Sequence, residues 1–390
     1  MYLPANAPLF HDMLITLLIL FTASCVLAVI YPYLIYPAVL AAWKVRPVRQ
    51  GPPDCGDGAD FTLLFCAYNE ASAMPQKLAN LRELRKRYPA MQFMAFDDGS
   101  ADGTADLIEQ GAPFVTLVRG GGRNGKAHGM KLMAGQATSR YLIFTDANVL
   151  LDLQAPRALF ACYADQEVGG VCGALHYLGA DGSATAAVGG LYWRLEEKIK
   201  DLESRSGSVM GADGSIFSIR TALYPSFPDT VLDDFTVSME VVFKGFRLIK
   251  CNDVVAYEQL VSVRADEFAR KVRISARAFH THTVLTSKRR NMKFDNRFRY
   301  FSHKTLRWFG GAFLLAGTAA GVATLILLWP VLGMVSVLAL IAVAIIGTRT
   351  TRGPLSSLVE VVLAMLATLQ GVARAVRGQT FAVWNPAKSR

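Results

Sequence analysis

Two adjacent aspartates, Asp97 and Asp98, end the apolar run Phe93–Phe96 and precede a stretch of small residues. Two like charges at a strand end are costly unless something binds them. Suitable partners are donors such as the ring N–H of uracil and ribose hydroxyl groups, and the glycines behind the pair let a ligand approach the backbone. The alternative is a helix cap, which Ser and Asp often form, but a cap alone does not explain the pair.

Two further segments combine small residues with groups that bind phosphate or metal. The glycine-rich loop Gly120–Ala127 contains Lys126 and is suited to cradling phosphates, although its spacing is not that of a Walker motif. A flexible, solvated loop is the alternative. After the strand-like run Tyr141–Thr145 come Asp146 and Asn148, whose oxygens can reach one Mg²⁺ or Mn²⁺ ion together with a diphosphate. The alternative for this pair is a polar turn.

The elements that must position these residues alternate along the chain. Short apolar runs predict strands, and apolar residues at helical spacing predict helices between them: strands at 61–67, 92–96, 115–118 and 141–145, and helices at 75–88 and 104–110. This alternation predicts an α/β fold with a parallel sheet. Ligands of such sheets bind beyond the carboxyl ends of the strands, so we expect Asp97, Asp98, Tyr68 and Glu70 to share one rim.

Composition indicates a membrane protein. The 390 residues are 52% hydrophobic and only 18% charged, which is too apolar for a soluble protein of this size. The net charge of +10 fits a basic surface facing anionic lipid, and no nucleic-acid motif accompanies it, so we expect no nucleic-acid partner. The six cysteines are scattered singly, which indicates reduced thiols rather than a zinc site or a disulfide framework.

The first part of the chain predicts one membrane helix followed by a large domain. Met13–Trp43 carries no charged residue, and basic residues follow it directly, so the positive-inside rule places the chain in the cytoplasm there. Residues 1–50 are therefore expected to form a transmembrane helix and a linker, and residues 51–304 one cytoplasmic domain.

Residues 305–390 predict membrane helices and a short cytoplasmic tail. Phe309–Leu328 and Val331–Ile346 are long enough to form an outgoing and a returning span. Ser356–Val376 is also apolar, but a crossing there would place the arginines that follow it outside, against the charge rule. We expect an interfacial or re-entrant helix there, with a true span as the alternative.

The order of the polar motifs resembles the inverting family 2 glycosyltransferases, in particular the membrane-embedded branch of cellulose, hyaluronan and poly-N-acetylglucosamine synthases and their exopolysaccharide relatives. The resemblance implies an A-type glycosyltransferase fold, a Rossmann-like, mostly parallel sheet with flanking transmembrane and interface helices. It also implies roles for the residues above: the nucleoside is held by Tyr68, Glu70, Asp97 and Asp98, the diphosphate by Lys126, and the metal by Asp146 and Asn148.

The resemblance extends to an acidic pair and an acceptor-side segment. Asp233 and Asp234 occupy the place of the family's acidic pair, whose last Asp is the catalytic base, and an acceptor hydroxyl needs such a base to attack the anomeric carbon. A helix N-terminus also explains this pair, and both interpretations can hold. Asp213 and Gly214 lie in a segment similar to the family's acceptor-side strand.

A basic helix carries the last motif. Arg273 matches the arginine of a Gln-x-x-Arg-Trp motif that contacts the diphosphate in the family, while Arg270 replaces its Gln and Ile274 its Trp. Since that Trp stacks on the acceptor sugar, its absence argues against long-chain processivity. A basic amphipathic helix on the membrane is an equally good interpretation. Leu191–Ser204 resembles the family's interface helix, with a plain surface helix as the alternative.

These features predict an inverting hexosyl- or N-acetylhexosaminyltransferase that uses a UDP-linked donor and Mg²⁺ or Mn²⁺. The acceptor would be a growing polysaccharide or a lipid-linked saccharide at a bacterial-type inner membrane, with a homo-oligomer or an export protein as a further partner. The alternative is a catalytically inactive nucleotide-sugar-binding scaffold of a polysaccharide export complex.

Overall fold

The computed structural model describes residues 7–178, 184–259 and 264–379. The last residues of the expected cytoplasmic tail, 380–390, lie outside this range. The described chain contains one eight-stranded sheet in the order β3-β2-β1-β4-β7-β6-β8-β5. Its strands are β1 (Phe61–Ala67), β2 (Gln92–Asp97), β3 (Thr116–Arg119), β4 (Tyr141–Asp146), β5 (Leu150–Leu151), β6 (Val168–Leu178), β7 (Ile216–Arg220) and β8 (Arg247–Gln259).

Fifteen helices occur in the described residues, together with a 3₁₀ turn at Thr221–Leu223 and a π-helical turn at Phe301–Thr305. They are α1 (Ala7–Ile30), α2 (Ile35–Ala41), α3 (Met74–Arg87), α4 (Thr104–Gly111), α5 (Lys126–Gln136), α6 (Ala155–Tyr163), α7 (Ala184–Ser206), α8 (Asp233–Phe243), α9 (Arg264–Val284), α10 (Thr286–Arg290), α11 (Phe294–Tyr300), α12 (Leu306–Trp308), α13 (Gly310–Leu328), α14 (Pro330–Arg349) and α15 (Pro354–Val376).

The sheet is mixed but mostly parallel near β1. Strands β3, β2, β1 and β4 are parallel, whereas β7 runs antiparallel to both β4 and β6. β1 is buried along its whole length, as expected for a central strand covered by helices on both faces. The predicted α/β class with a mostly parallel sheet is therefore confirmed.

Two hydrophobic cores cover the two faces of the sheet. One face packs against α3, α4 and α6 through residues such as Leu81, Ile108 and Leu159. The other packs against α5 and α8 through residues such as Met130 and Val237. The rim at the carboxyl ends of β1, β2 and β4 therefore lies between the starts of helices from both layers.

The N-terminal apolar segment forms two helices rather than one. The structure ends α1 at Ile30 and begins α2 at Ile35, with a turn between them. Tyr36 and Leu40 of α2 are buried against Ile199 and Leu202 of α7. The helix expected as a single tilted span over Met13–Trp43 is thus shorter, because its YPYLIYP end packs on α7 instead of continuing α1.

Four described helices are long and apolar enough to cross a membrane, namely α1, α13, α14 and α15. Helices α13 and α14 pack against each other as a hairpin around Trp329. Beside the turn, a Cβ placed on Gly333 would lie 2.5 Å from a side-chain carbon of Ile326. Helix α1 packs along α13, where Gly317 approaches Cys25 closely. Such close approach through glycine is typical of helix pairs in membranes.

Helix α15 lies across the end of this hairpin. Near its start Val359 meets Gly347, close to the end of α14, and in its middle the carbonyl of Met365 meets Gly311, at the start of α13. Because both partners lie at the same end of the hairpin, α15 cannot run parallel to it. The second half of α15 continues onto α9, where Gly371 contacts the backbone of Val272. The interfacial position expected from its charges stays a prediction, since α15 is also long and apolar enough to cross a membrane.

Candidate active site

Strand β1 separates the two strands that end in carboxylates. Its register pairs Ala67 with Asp97 on one side and Cys66 with Asp146 on the other. Both aspartates therefore lie at one rim, as expected for parallel strands. Since they are one register position apart, their side chains leave the sheet on opposite faces, and a ligand that contacts both must lie across the end of β1.

Asp97 presents an unpaired oxygen at this rim. The residue is 4% exposed, and its Oδ2 accepts a hydrogen bond from the amide of Ser100 at 3.2 Å. Its Oδ1 is buried and has no hydrogen-bond partner among the described residues. A buried carboxylate oxygen without a donor is costly, so Asp97 is suited to accept an N–H or O–H group from a ligand.

Asp98 organises the glycine-rich loop. It is fully buried, and its Oδ1 accepts hydrogen bonds from the amides of Asn124 and Gly125 at 2.6 and 2.8 Å. Its Oδ2 accepts a bond from the Arg123 guanidinium at 3.3 Å. Both oxygens of Asp98 are therefore engaged by the protein, so Asp98 shapes the loop, and its expected contact with the nucleoside stays a prediction.

Tyr68 and Glu70 follow β1 in a tightly bonded turn. Asn69 between them has a positive φ of 51°, and its side-chain oxygen accepts a bond from Ala101. The guanidinium of Arg123 lies over the ring of Tyr68, 3.3 Å from its centroid. Glu70 is buried. The turn and the loop therefore meet beside Asp97, where Tyr68 and Arg123 offer flat surfaces to a planar ligand.

Lys126 connects carboxylates from two distant parts of the chain. Its Nζ lies 2.6 Å from Asp146 Oδ1 and 4.0 Å from Asp233 Oδ2. A Cβ placed on Gly214 would lie 2.9 Å from both Lys126 Nζ and Asp234 Oδ2. The end of β4, the start of α5, the first turn of α8 and the segment before β7 thus converge at Lys126, and the glycine at position 214 leaves room for the ends of both side chains.

The charges of this cluster shift the pKa of two of its members. Burial, and then the negative charge of Asp233, raises the pKa of Asp234 to about 7, against the opposing effect of Lys126. Burial lowers the pKa of Lys126, but the carboxylates of Asp146, Asp233 and Asp234 outweigh it and raise that pKa above its ordinary value. Lys126 is therefore a fixed cation, whereas Asp234 can exchange a proton near neutral pH.

The turn after β4 carries the expected metal ligands. Asp146 is partly exposed, and the amide of Asn148 donates a hydrogen bond to Glu258 at 3.0 Å, so its carbonyl oxygen keeps its capacity as a ligand. The described residues contain no cluster of three or more His, Cys, Asp or Glu side chains able to hold a metal. The protein thus supplies one carboxylate and one amide oxygen, which fits an ion shared with phosphate oxygens and water.

A buried lysine supports this turn from below. Lys77 of α3 is fully buried, and its Nζ donates hydrogen bonds to the carbonyl oxygens of Asp146 and Val149 at 3.0 and 2.7 Å. Burial lowers the pKa of Lys77 to about 7, against the attraction of Asp146. The backbone of the turn is therefore held by a side chain from a different layer.

The expected acceptor-side residues lie in two places. Asp213 accepts a hydrogen bond from the buried Lys200 of α7, next to Gly214 and the Lys126 cluster. Arg270 instead pairs with Glu267 of its own helix at 2.9 Å, and the side chain of Ile274 is 39% exposed. Arg273 precedes Arg277 by one helical turn, so it shares the face of α9 on which Arg277 lies 4.0 Å from Asp233.

Residues 62–224 match the family model described as Glycosyl transferase family 2. This segment, which is less than half of the chain, is therefore similar to family 2 glycosyltransferases. The matched segment contains Asp97, Lys126, Asp146 and Gly214, and it ends before Asp234. A search of curated proteins finds no significant match.

One solved glycosyltransferase structure shares the architecture of this chain. The mannosyltransferase PcManGT from Pyrobaculum calidifontis, in complex with GDP-Man and Mn²⁺, superposes with a TM-score of 0.72 at 19% identity, over 94% of this chain and 99% of that chain. The chain therefore has the A-type glycosyltransferase fold, with a parallel-dominated sheet and apolar helices that could span a membrane.

Two less similar structures also match. GalNAc-T7 with UDP, GalNAc and Mn²⁺ has a TM-score of 0.39 at 14% identity, over 51% of this chain and 44% of that chain. TarS from S. aureus has a TM-score of 0.43 at 15% identity, over 71% of this chain and 53% of that chain.

Sequence reasoning missed four residues at this site, namely Lys77, Arg123, Glu258 and Arg277. Arg123 lies inside the glycine-rich loop Gly120–Ala127, three residues before Lys126. Arg277 follows Arg273 at helical spacing, which is a usable signal. Glu258 lies on strand β8, far from Asn148 in the sequence, so no local pattern indicates the hydrogen bond between them.

Proposed function

We propose that the protein is a membrane-anchored family 2 glycosyltransferase that moves a sugar, with inversion, from a nucleoside-diphosphate sugar to an acceptor hydroxyl. The observation that carries the proposal is the convergence of Asp234, Lys126 and Asp146 around Gly214. A base with a pKa near neutral, a fixed cation and a turn with metal-binding oxygens are the groups that this reaction requires.

The donor would lie across the end of β1. The nucleoside would lie beside Tyr68 and Glu70 and would donate hydrogen bonds to the unpaired oxygen of Asp97. Lys126 and Arg273 would neutralise the diphosphate. Asp146 and Asn148 would hold Mg²⁺ or Mn²⁺, which stabilises the charge of the leaving diphosphate when bound. The structurally similar mannosyltransferase was solved with GDP-Man and Mn²⁺, which supports a nucleotide-sugar donor and a divalent ion.

The acceptor would approach from the side of Gly214. Asp234 would take the proton of the acceptor hydroxyl as its oxygen attacks the anomeric carbon, and the nucleoside diphosphate would leave on the opposite face of the sugar. We propose a UDP-linked donor and an acceptor that is a growing polysaccharide or a lipid-linked saccharide. The catalytic residues, within 51–304, would face the cytoplasm at an inner membrane.

Purified protein tests this proposal directly. Full-length protein in detergent is incubated with Mn²⁺ and a panel of UDP-sugars and GDP-mannose, and nucleotide release is measured. We expect release with one donor, and we expect Asp234→Asn to abolish it while leaving nucleotide binding intact, because the amide keeps the shape but cannot accept the proton. Loss of binding together with activity would contradict the assignment of the base. Binding without release by the wild type would favour an inactive scaffold.

A further inference from the structure

One face of α9 lies against the segment that carries Asp234. Arg277, His280 and Thr281 share this face because they recur at helical spacing. Their partners follow one another along the chain. The contacts are His280 Nε2 with the Thr230 hydroxyl at 3.1 Å, Arg277 to the carbonyl oxygen of Val231 at 2.7 Å, the amide of Leu232 to the Thr281 hydroxyl at 2.8 Å, and Arg277 with Asp233 at 4.0 Å.

This segment has no regular structure of its own to fix it. It precedes the first turn of α8, and Val231 is fully buried there. A buried carbonyl or amide without a partner is costly. Apart from a turn bond from the Val231 amide to the Pro228 carbonyl and the contacts of Asp229 with α5, side chains of α9 supply the hydrogen bonds of the residues immediately before the proposed base.

Arg277 also places a second cation beside the acidic pair. It is 6% exposed, and Asp233 lies 4.0 Å from both Arg277 and Lys126. Asp233 is thus held between one cation from α5 and another from α9, while Asp234 next to it faces Gly214. Removing one charged partner from such a buried set is strongly destabilising, because it leaves a buried charge uncompensated.

We propose that Arg277 is a positioning residue that holds the segment 230–233 so that Asp234 meets the acceptor hydroxyl. The inference rests on the proposed transferase function. The same face of α9 carries Arg273 one turn earlier, so α9 ties the diphosphate side of the site to the base. Because α15 packs along α9 at Gly371, the position of the base is connected to the helices at the membrane.

The test compares full-length variants in lipid nanodiscs. Arg277→Gln removes the cation and one donor, Arg277→Lys keeps the charge, and Thr281→Val removes the acceptor for Leu232 at nearly constant shape. Lys271→Gln is the control, because Lys271 lies on another face of α9 and pairs with Glu267. Nucleotide release gives kcat and the donor KM, and hydrogen exchange of the peptide 229–236 reports how firmly the segment is held.

We expect Arg277→Gln and Thr281→Val to lower kcat about 10- to 100-fold, the effect of misplacing a reacting group by an ångström or so. The donor KM should stay unchanged, exchange in 229–236 should accelerate, and Arg277→Lys should recover part of kcat. Thermal unfolding identifies a variant that fails to fold. If Arg277→Gln does not fold, the kcat of Thr281→Val decides the test.

The outcomes separate this inference from the proposed function. If the wild type transfers sugar and both Arg277→Gln and Thr281→Val behave like Lys271→Gln, the positioning role is wrong while the transferase stands. If kcat falls only together with a higher donor KM, Arg277 acts on donor binding and the inference is also wrong. If the wild type transfers no sugar from any donor, the transferase proposal fails, and the positioning role fails with it.

Discussion

At the scale of single residues, the carboxyl of Asp234 ties activity to pH. Its folded-state pKa is raised to about 7, by burial first and by Asp233 second. The base acts only when ionised, so kcat/KM should be constant above pH ~7 and should fall about ten-fold per pH unit below it. A pH series of nucleotide release measures this. A profile that stays flat down to pH ~5 would show that a carboxyl of ordinary pKa is the base.

Gly214 provides a second test at this scale. A methyl group there would lie 2.9 Å from Asp234 Oδ2 and Lys126 Nζ, so we expect Gly214→Ala to push these groups apart and to lower kcat about 10- to 100-fold. Gly135→Ala on α5 is the matched control, because nothing lies within 4 Å of its Cβ position. Equal rates for the two variants would show that the space at position 214 is not needed.

The residues that sequence could identify are those at strand ends. Asp97 was predicted at the rim because parallel strands end at the same edge, and the register places it there, with Asp146 on the other side of β1. The hydrogen bonds from the loop to Asp98 were not readable, because they depend on the folded backbone. Lys77 stands at helical spacing with Leu81 and Leu84, which indicates the buried face of α3. The other basic residues of the helix favour an exposed position for it, so its burial was not predicted.

At the scale of elements, the turn after β4 depends on α3. Lys77→Met would remove the Nζ donor from the carbonyl groups of Asp146 and Val149. The Asp146 carbonyl keeps the hydrogen bond from the Val149 amide at 3.2 Å, so the cost of about 1–3 kcal/mol falls on the Val149 carbonyl. We expect a lower unfolding temperature and a weaker response of activity to Mn²⁺. Lys86→Met on the same helix is exposed and should change neither. Scanning fluorimetry and a Mn²⁺ titration of nucleotide release measure both effects.

The predicted elements were those with strong local patterns. β1, β2, β3 and β4 occur where short apolar runs alternate with helical spacing. The strand β6 was not predicted, because its sequence VGGVCGALHYL is rich in glycine, which disfavours strands. The break between α1 and α2 was also not predicted, because the packing of Tyr36 on α7 is a long-range contact.

At the scale of the whole molecule, the course of α15 decides how many times the chain crosses the bilayer. If α15 lies on the surface, its two ends face the same side. We expect cysteines introduced by Arg352→Cys and Gln379→Cys to react with a membrane-impermeant thiol reagent from one side. Val331→Cys, at the turn of the α13–α14 hairpin, should react from the other side and serves as the reference.

Labelling of positions 352 and 379 from opposite sides would show instead that α15 crosses. Its length and hydropathy allow a crossing, so composition alone could not decide the matter. The contacts of Val359, Met365 and Gly371 with three other helices could not be read from the sequence.

Strand β1 lies between the strands that end in Asp97 and Asp146, so it also sets the distance that a ligand in contact with both must span. Asp97 and Asp146 end the strands on either side of it, so two interstrand steps of ~4.8 Å, about 10 Å in all, separate their backbones. Backbone hydrogen bonds fix this separation, and side-chain motion changes it little. If the proposed nucleoside-diphosphate sugar spans this distance, a sugar phosphate without its nucleoside would lose the contact with Asp97.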